Sequence, residues 1–182
     1  MRALLANTRG VTAVEFALIA PVLILLTLGT IDVGYTLTVQ RLLEASAREA
    51  SRFGVTGRDP DDLTRTATIR RIVERTLIGS DVAGRLAIDV RAYTSFDNVG
   101  RPEPFQDEND NGRRDPGETF TDVNGDGTWN PDMGVPTAGG AGDVVVYTLS
   151  YAQPVLVPFM AKFYGDATIT HRARAVVRNE PF

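Results

Sequence analysis

"RGVTAVEFALIAPVLILLTLG", Arg9 to Gly29, is the stretch whose reading decides the fold. Sixteen uncharged residues, mostly Leu, Ile, Val and Ala, separate Glu15 from Asp32, and Val33 to Val39 extends the run with Gly34, Tyr35 and two Thr. A helix of about 20 apolar residues suffices to cross a bilayer, so residues 11–39 are expected to form one transmembrane helix, with room for tilt. Arg2 and Arg9 precede the run and no acid occurs before Glu15, which favours a cytoplasmic N-terminus and places the remainder outside. Two residues do not suit an inert anchor. Glu15 puts a carboxylate at the mouth of the span, and Pro21 removes a backbone donor where water cannot replace it.

Three readings compete for this segment. A secretory signal peptide would show a shorter apolar core followed by a small-x-small cleavage site, whereas here Gly29 and Thr30 lead into more apolar residues. A plain signal anchor accounts for everything except Glu15, and a glutamate near a helix N-terminus is tolerated by the dipole. The third reading is a short basic leader, residues 1–10, cleaved after Gly10, which leaves Glu15 as the fifth residue of the mature chain.

The segment "RGVTAVEFALIAPVLIL" resembles the start of TadE-like proteins, minor pilins (pseudopilins) of the tight-adherence, or Flp-type, pilus system. The resemblance rests on Arg9, Gly10, Ala13, Val14, Glu15, Phe16, Ala17, Leu18 and Pro21, and covers roughly the first 50 residues. It implies cleavage between Gly10 and Val11 by a membrane aspartic prepilin peptidase, with Glu15 facing the new amine of Val11 or of a neighbouring subunit. An ion pair shielded from lipid costs far less than a lone carboxylate. Gly10 lets the backbone extend into a protease cleft, and Pro21 would kink the helix for packing in a bundle. The processing and assembly residues are therefore Gly10, Val11, Glu15 and Phe16.

Beyond the helix about 130 residues remain, enough for one modest domain. The chain of 182 residues has no cysteine, which excludes a disulfide framework, thiolate metal sites and a cysteine nucleophile. Its net charge of −4 is unevenly placed: from Asp97 to Asp132, ten Asp/Glu face three Arg. Acidity is thus a local device, and nothing points to nucleic acid or to a small-molecule substrate.

The long helix is expected to continue through "RLLEASAREASRFG" as a spine. Leu42, Leu43, Ala45, Ala47, Ala50 and Phe53 form an apolar stripe, and Gly54 and Gly57 end it. "DPDDLTRTATIRRIVERTLIG" reads as a second helix, with Asp59 as cap, Pro60 at the first turn and Gly79 as stop; Leu63, Ala67, Val73 and Leu77 line one side. Period-two alternation then marks three strands, in "RLAIDVRAY", "DVVVYTLSYAQPVLVP" and "ATITHRARAVVRN". In the first, Leu86, Ile88, Val90 and Ala92 oppose Ala87, Asp89, Arg91 and Tyr93. In the last, Ile169, His171 and Ala173 point inward, and the lone histidine reads as a satisfied core imidazole. The expected fold class is α+β and pilin-like: a long, partly transmembrane N-terminal helix, a second helix and a small antiparallel sheet. Residues 40–182 form the extracytoplasmic domain, with an acidic loop insert at 97–134.

That insert contains a repeat offset by fifteen residues, "DENDNGRRDPGE" (Asp107–Glu118) and "DVNGDGTWNPDM" (Asp122–Met133). The first copy fits the twelve-residue calcium loop, which needs oxygen side chains at positions 1, 3, 5 and 9, a glycine at 6 and a closing glutamate at 12. Asp107, Asn109, Asn111, the Arg113 carbonyl, Asp115 and Glu118 supply this set. The second copy offers Asp122, Asn124, Asp126, the Thr128 carbonyl and Asn130, but its twelfth residue is Met133. Asp132 comes one residue early, so this loop is weaker, differently closed or completed by another acid. Hard oxygen donors favour Ca²⁺ over Zn²⁺ or copper, with one ion expected and room for a second; the bland alternative is a solvated acidic loop.

Together these readings point to a non-enzymatic pilin-like component of Flp/Tad pilus assembly, single-pass in a bacterial inner membrane with its domain periplasmic. It either enters surface pili or primes their assembly. Its partners would be the prepilin peptidase, other pilin-like subunits, the Tad secretion machinery and the membrane. The alternative is a membrane-anchored calcium-dependent adhesin or sensor with no assembly role.

Overall fold

The computed structural model describes residues 9–55, 62–77 and 81–180, with the backbone alone at 9, 10, 54, 55 and 62–65. Helix α1 spans Arg9–Val55, α2 Asp62–Thr76 and α3 Val82–Arg85; strands follow at Leu86–Tyr93 (β1), Val144–Pro154 (β2) and Thr168–Arg178 (β3), with a short helix α4 at Ala161–Tyr164 between the last two. The expected stop at Gly57, the cap at Asp59, Pro60 and the stop at Gly79 lie outside the described residues. The chain divides into two compact units, one comprising Met1–Val39 and Ala152–Thr170, the other Gln40–Tyr151 and His171–Phe182.

In the first unit α1 continues through Pro21. An 18-residue window of this helix has a mean hydropathy of 2.3 and none of it is buried, so the helix is a candidate membrane anchor. Its hydroxyls are locally satisfied: Thr27 Oγ1 donates to the Leu23 carbonyl and Thr30 Oγ1 to that of Leu26, both at 2.8 Å. Such back-bonding lets a threonine sit in an apolar segment without an open donor. Asp32, by contrast, is fully buried at 0% beneath the segment that links β2 to β3. Its Oδ1 accepts the backbone N–H groups of Leu156 (3.0 Å) and Val157 (3.3 Å), and its Oδ2 accepts the Tyr164 hydroxyl (2.8 Å). The linking segment is closed at its base by Val155 N–H donating to the Ala167 carbonyl at 3.0 Å.

In the second unit the rest of α1 buries Leu43, Ser46, Ala47, Ala50 and Ser51, a stripe at helical spacing. Ala45 is exposed, and the two serines take places in the stripe because Ser46 Oγ donates to the Leu42 carbonyl and Ser51 Oγ to that of Arg48. Among the described side chains of α2, Ile69 and Val73 are buried, followed by Leu77 just past its end; Leu63 lies outside them. Ala67, expected on that face, is exposed; the larger Ile69 sets the phase because it removes more apolar area from water.

The three strands form a small antiparallel sheet in the order β1-β2-β3, with β1 and β2 in register from Leu86 opposite Tyr151 to Tyr93 opposite Val144. Edge strand β3 alternates as expected, burying His171 and Ala173 and exposing Thr168, Thr170, Arg172 and Arg174. Central β2 begins with four consecutive buried residues, Val144 to Tyr147, which means both faces are covered there. Tyr93 explains how. It belongs to the polar face of β1 by alternation, yet it is buried in a cluster with Met133, Val144 and Val146, flanked by Val99 and Val123. The insert therefore roofs one end of the sheet.

His171 Nδ1 lies 3.0 Å from Gln40 Oε1. The Gln40 amide is oriented by its Nε2 donating to Glu44 Oε1 and to the Arg172 carbonyl, so the imidazole donates to Oε1 from Nδ1. Burial pushes this histidine below its ordinary value, and the unfolded chain takes up the proton first as pH falls. The stability it contributes is complete above about 6.5, the ordinary histidine value, and is lost as pH drops towards the folded value. The melting temperature is expected to fall between pH 7 and pH 5.5, and a His171→Gln variant should flatten that part of the profile.

Candidate functional site

Two regions carry the residues singled out by the sequence. At the N-terminal end of α1, Gly10 is helical, and Val11, Glu15 and Phe16 are all exposed. Val14, Leu18, Ile19, Val22, Leu23 and Ile24 are exposed around them. Glu15 thus sits in a bare apolar cylinder, and among the described residues no cation pairs with it.

The insert is built differently. Each loop is wound by side-chain oxygens accepting backbone N–H groups a few residues on. In the first, Asp107 Oδ1 accepts Asn111 N–H (3.0 Å), Asp107 Oδ2 accepts Gly112 N–H (2.6 Å), Asn109 Oδ1 accepts Asn111 N–H (3.1 Å) and Asn111 Oδ1 accepts Arg113 N–H (2.7 Å). In the second, Asp122 accepts Gly125 and Gly127 N–H groups, Asn124 Oδ1 accepts Asp126 N–H, and Asp126 Oδ1 accepts Thr128 N–H. The backbone repeats as well. Gly112 and Gly127, at the sixth position of each loop, have φ of 73° and 77°, and Asp110 and Gly125, at the fourth, have 56° and 78°. Asp110 is a non-glycine held in the left-handed region, which an aspartate tolerates better than most residues.

In each loop one further carboxylate accepts from two side-chain amides. Asn109 Nδ2 and Asn111 Nδ2 donate to Asp115 Oδ2 at 2.7 and 2.8 Å. In the second loop Asn124 Nδ2 and Asn130 Nδ2 donate to Asp126 Oδ2 at 3.4 and 2.7 Å. The repeat has exchanged the acid between its fifth and ninth positions while keeping the group. Hydrogen bonds from the Thr128 backbone and hydroxyl, then from Asn130, hold the Asp126 carboxyl below the usual carboxylate range, so it is ionised at neutral pH. Among the described residues no three His, Cys, Asp or Glu side chains converge as a group that could hold a metal.

How each loop is closed was only half legible from the sequence. Glu118, at the twelfth position of the first loop, is buried; its Oε1 accepts Glu108 N–H (3.1 Å) and its Oε2 accepts Asp115 N–H (2.8 Å). These are the N–H groups of loop positions two and nine. In the second loop the same two positions are Val123 and Asn130. Their N–H groups are accepted by Glu103, Oε1 from Val123 at 2.8 Å and Oε2 from Asn130 at 3.0 Å, with Asn124 N–H also on Oε1 at 3.2 Å. Glu103 is 0% exposed and stands in the second loop where Glu118 stands in the first. Asp132, one residue before the twelfth position, accepts the Tyr93 hydroxyl at 2.9 Å and Gly134 N–H at 3.1 Å, and pairs with Arg91 at 3.5 Å. Burial, reinforced by the hydrogen bond to Asp132, pushes the Tyr93 phenol up to about 12. Met133 holds position twelve because it is a core residue beneath the loop.

The two loops share a small aromatic floor. Phe105 and Phe120 pair as a β-bridge, the Phe105 and Trp129 rings meet edge to face at 6.0 Å, and the Arg114 guanidinium lies 5.1 Å from the Phe120 ring centroid. Trp129 Nε1 donates to the Glu103 carbonyl at 2.9 Å, which fixes the backbone of the residue that closes the second loop.

Residues 10–52 match the family model of TadE-like proteins. The TadE-like segment coincides with α1, from the glycine at its start to the last turn but one, and carries the Glu15–Phe16 pair. The match stops before α2 and leaves the insert outside it. No curated protein and no solved structure matches the chain.

Proposed function

We propose that the chain is a non-enzymatic, pilin-like component of Flp/Tad pilus assembly, anchored in the inner membrane by α1 with its domain in the periplasm. The observation that carries this reading is the TadE-like match over a helix whose apolar window is unburied and whose start carries one acid, Glu15, without a cation partner among the described residues. A cylinder of this kind suits two environments in turn: lipid before assembly and a bundle of like helices after it. Prepilin peptidase would cut between Gly10 and Val11, and the new amine, on the same or a neighbouring subunit, would become the cation for Glu15. The subunit then enters the fibre or primes it, in contact with other pilin-like subunits and the Tad machinery. The buried Asp32 and its strap from the β2–β3 link lie near the outer end of the span, and exposed Val33 and Leu37 carry its apolar surface on towards residue 39.

The insert would bind Ca²⁺ and stiffen the domain. Its support is the duplicated oxygen ladder and the matching placement of Glu118 and Glu103, hard donors of the type Ca²⁺ prefers. An external module of this kind binds with a Kd of about 10⁻⁴–10⁻³ M.

Mass spectrometry of the membrane-extracted chain tests the assembly reading. The expected mature chain begins at Val11, and a Gly10→Ala change should abolish processing and pilus formation. A chain that keeps Met1, with the variant indistinguishable from wild type, rejects it.

A further inference from the structure

The segment that straps Asp32 carries an exposed apolar tip. Phe159 and Phe163 are 50% and 63% exposed, Leu156 and Tyr164 are exposed beside them, and the two Phe rings meet edge to face with centroids 5.6 Å apart. Lys162 Nζ lies 6.0 Å from the Phe159 ring centroid. Neighbouring aromatics left open to water on a small segment need a partner.

The tip is fixed against α1 at a definite height. Asp32 accepts two of its N–H groups and the Tyr164 hydroxyl, and Met160 Cε packs beside Gly29, 3.6 Å from where a β-carbon there would stand. Gly29 and Asp32 lie towards the C-terminal end of the apolar run of residues 11–39, where Ile31, Val33 and Leu37 are still exposed around them. The aromatic tip therefore adjoins the exposed apolar surface of the helix in the same compact unit, towards the C-terminal end of that run.

We propose that residues 156–164 lie in the headgroup region of the bilayer that α1 crosses, with Phe159 and Phe163 at the acyl boundary and Lys162 on lipid phosphate. Aromatic rings favour this level of a membrane, where one end is apolar and the other wet. A lysine with an apolar stem reaches from there to the phosphates. Its consequence is orientational: a span clamped at one end by an interfacial wedge cannot rotate freely about its axis. This inference rests on α1 being a span, and the test separates the two.

The chain lacks cysteine, so single labels are unambiguous. Nitroxides are placed by Ala161→Cys, Leu25→Cys and Thr128→Cys in the full chain, reconstituted in vesicles of three parts phosphatidylcholine to one part phosphatidylglycerol. Accessibility to oxygen is compared with that to a water-soluble nickel chelate. Position 25 should be deep, position 128 aqueous, and position 161 intermediate, near the phosphates. In a Phe159→Ser/Phe163→Ser background the label at 161 should become aqueous while that at 25 stays deep. A deep label at 25 with a fully aqueous one at 161 overturns the proposal and leaves the span intact. Aqueous labels at both positions remove the span and the proposal together. A label at 161 whose protection disappears on dilution with lipid shows that a second copy covers the tip, which also overturns it.

Discussion

A Glu103→Ala variant is expected to lose about 3 kcal/mol of domain stability, because three part-buried backbone N–H groups lose an acceptor that is itself fully buried and each such loss costs about 1–3 kcal/mol. The three are those of Val123, Asn124 and Asn130. Chemical denaturation of the full chain in micelles, with chelator present, measures this without any ion. Glu103→Gln keeps an acceptor oxygen and should lose less than half as much. The ion-binding reading adds a second axis. If Glu118 and Glu103 close equivalent loops, Glu118→Gln and Glu103→Gln should each remove one Ca²⁺ from the calorimetric stoichiometry, and the double variant should bind none. Trp129, bonded to the Glu103 carbonyl, should report occupancy of the second loop by fluorescence. A wild-type chain that gives no heat with Ca²⁺, while Glu103→Ala still unfolds early, leaves the carboxylates as organisers of the backbone and removes the ion.

Why Glu103 escaped sequence reading is physical. The repeat announces itself by local spacing: Asp107 with Gly112 and Asp122 with Gly127 describe a turn whose bonds span five residues or fewer. Those bonds form as the spacing implies. Glu103 acts across 20 to 27 residues, and nothing in "RPEPFQ" separates it from an ordinary surface acid. Met133 gave the one hint, since an apolar residue at the twelfth position leaves that place to a remote group. Tyr93 was misjudged for a related reason. Alternation assigns it a face, but whether that face meets water depends on a loop that returns some forty residues later. Elements decided by neighbours read well: β1 has the ends that its alternation marks, Leu86 and Tyr93, and β3 buries His171 and Ala173 as its period requires. The TadE-like start was legible because its motif lies within thirteen residues.

Asp32 is the other long-range carboxylate, and an Asp32→Ala change should release the strap. From the sequence it marks only the end of an uncharged run. In the fold it is fully buried and holds the Leu156 and Val157 N–H groups and the Tyr164 hydroxyl. Removing it orphans donors at a place that neither lipid nor bulk water repairs, which costs about 3 kcal/mol. Hydrogen exchange reads that directly: the amides of residues 156 and 157 should exchange about a hundredfold faster, since each 1.4 kcal/mol is a factor of ten. Amides of β1 should be unchanged. The hydrogen bond to Asp32 raises the Tyr164 phenol, so in the variant its titration should move back down towards the ordinary tyrosine value. Asp32→Asn separates charge from geometry. Its carbonyl oxygen can still accept both N–H groups, and its amide can donate to a reoriented Tyr164 hydroxyl, so most protection should persist. Equal loss in both variants would mean that the negative charge holds the strap, whereas no loss in either would mean that the strap is held by its apolar contacts with α1, such as Met160 on Gly29.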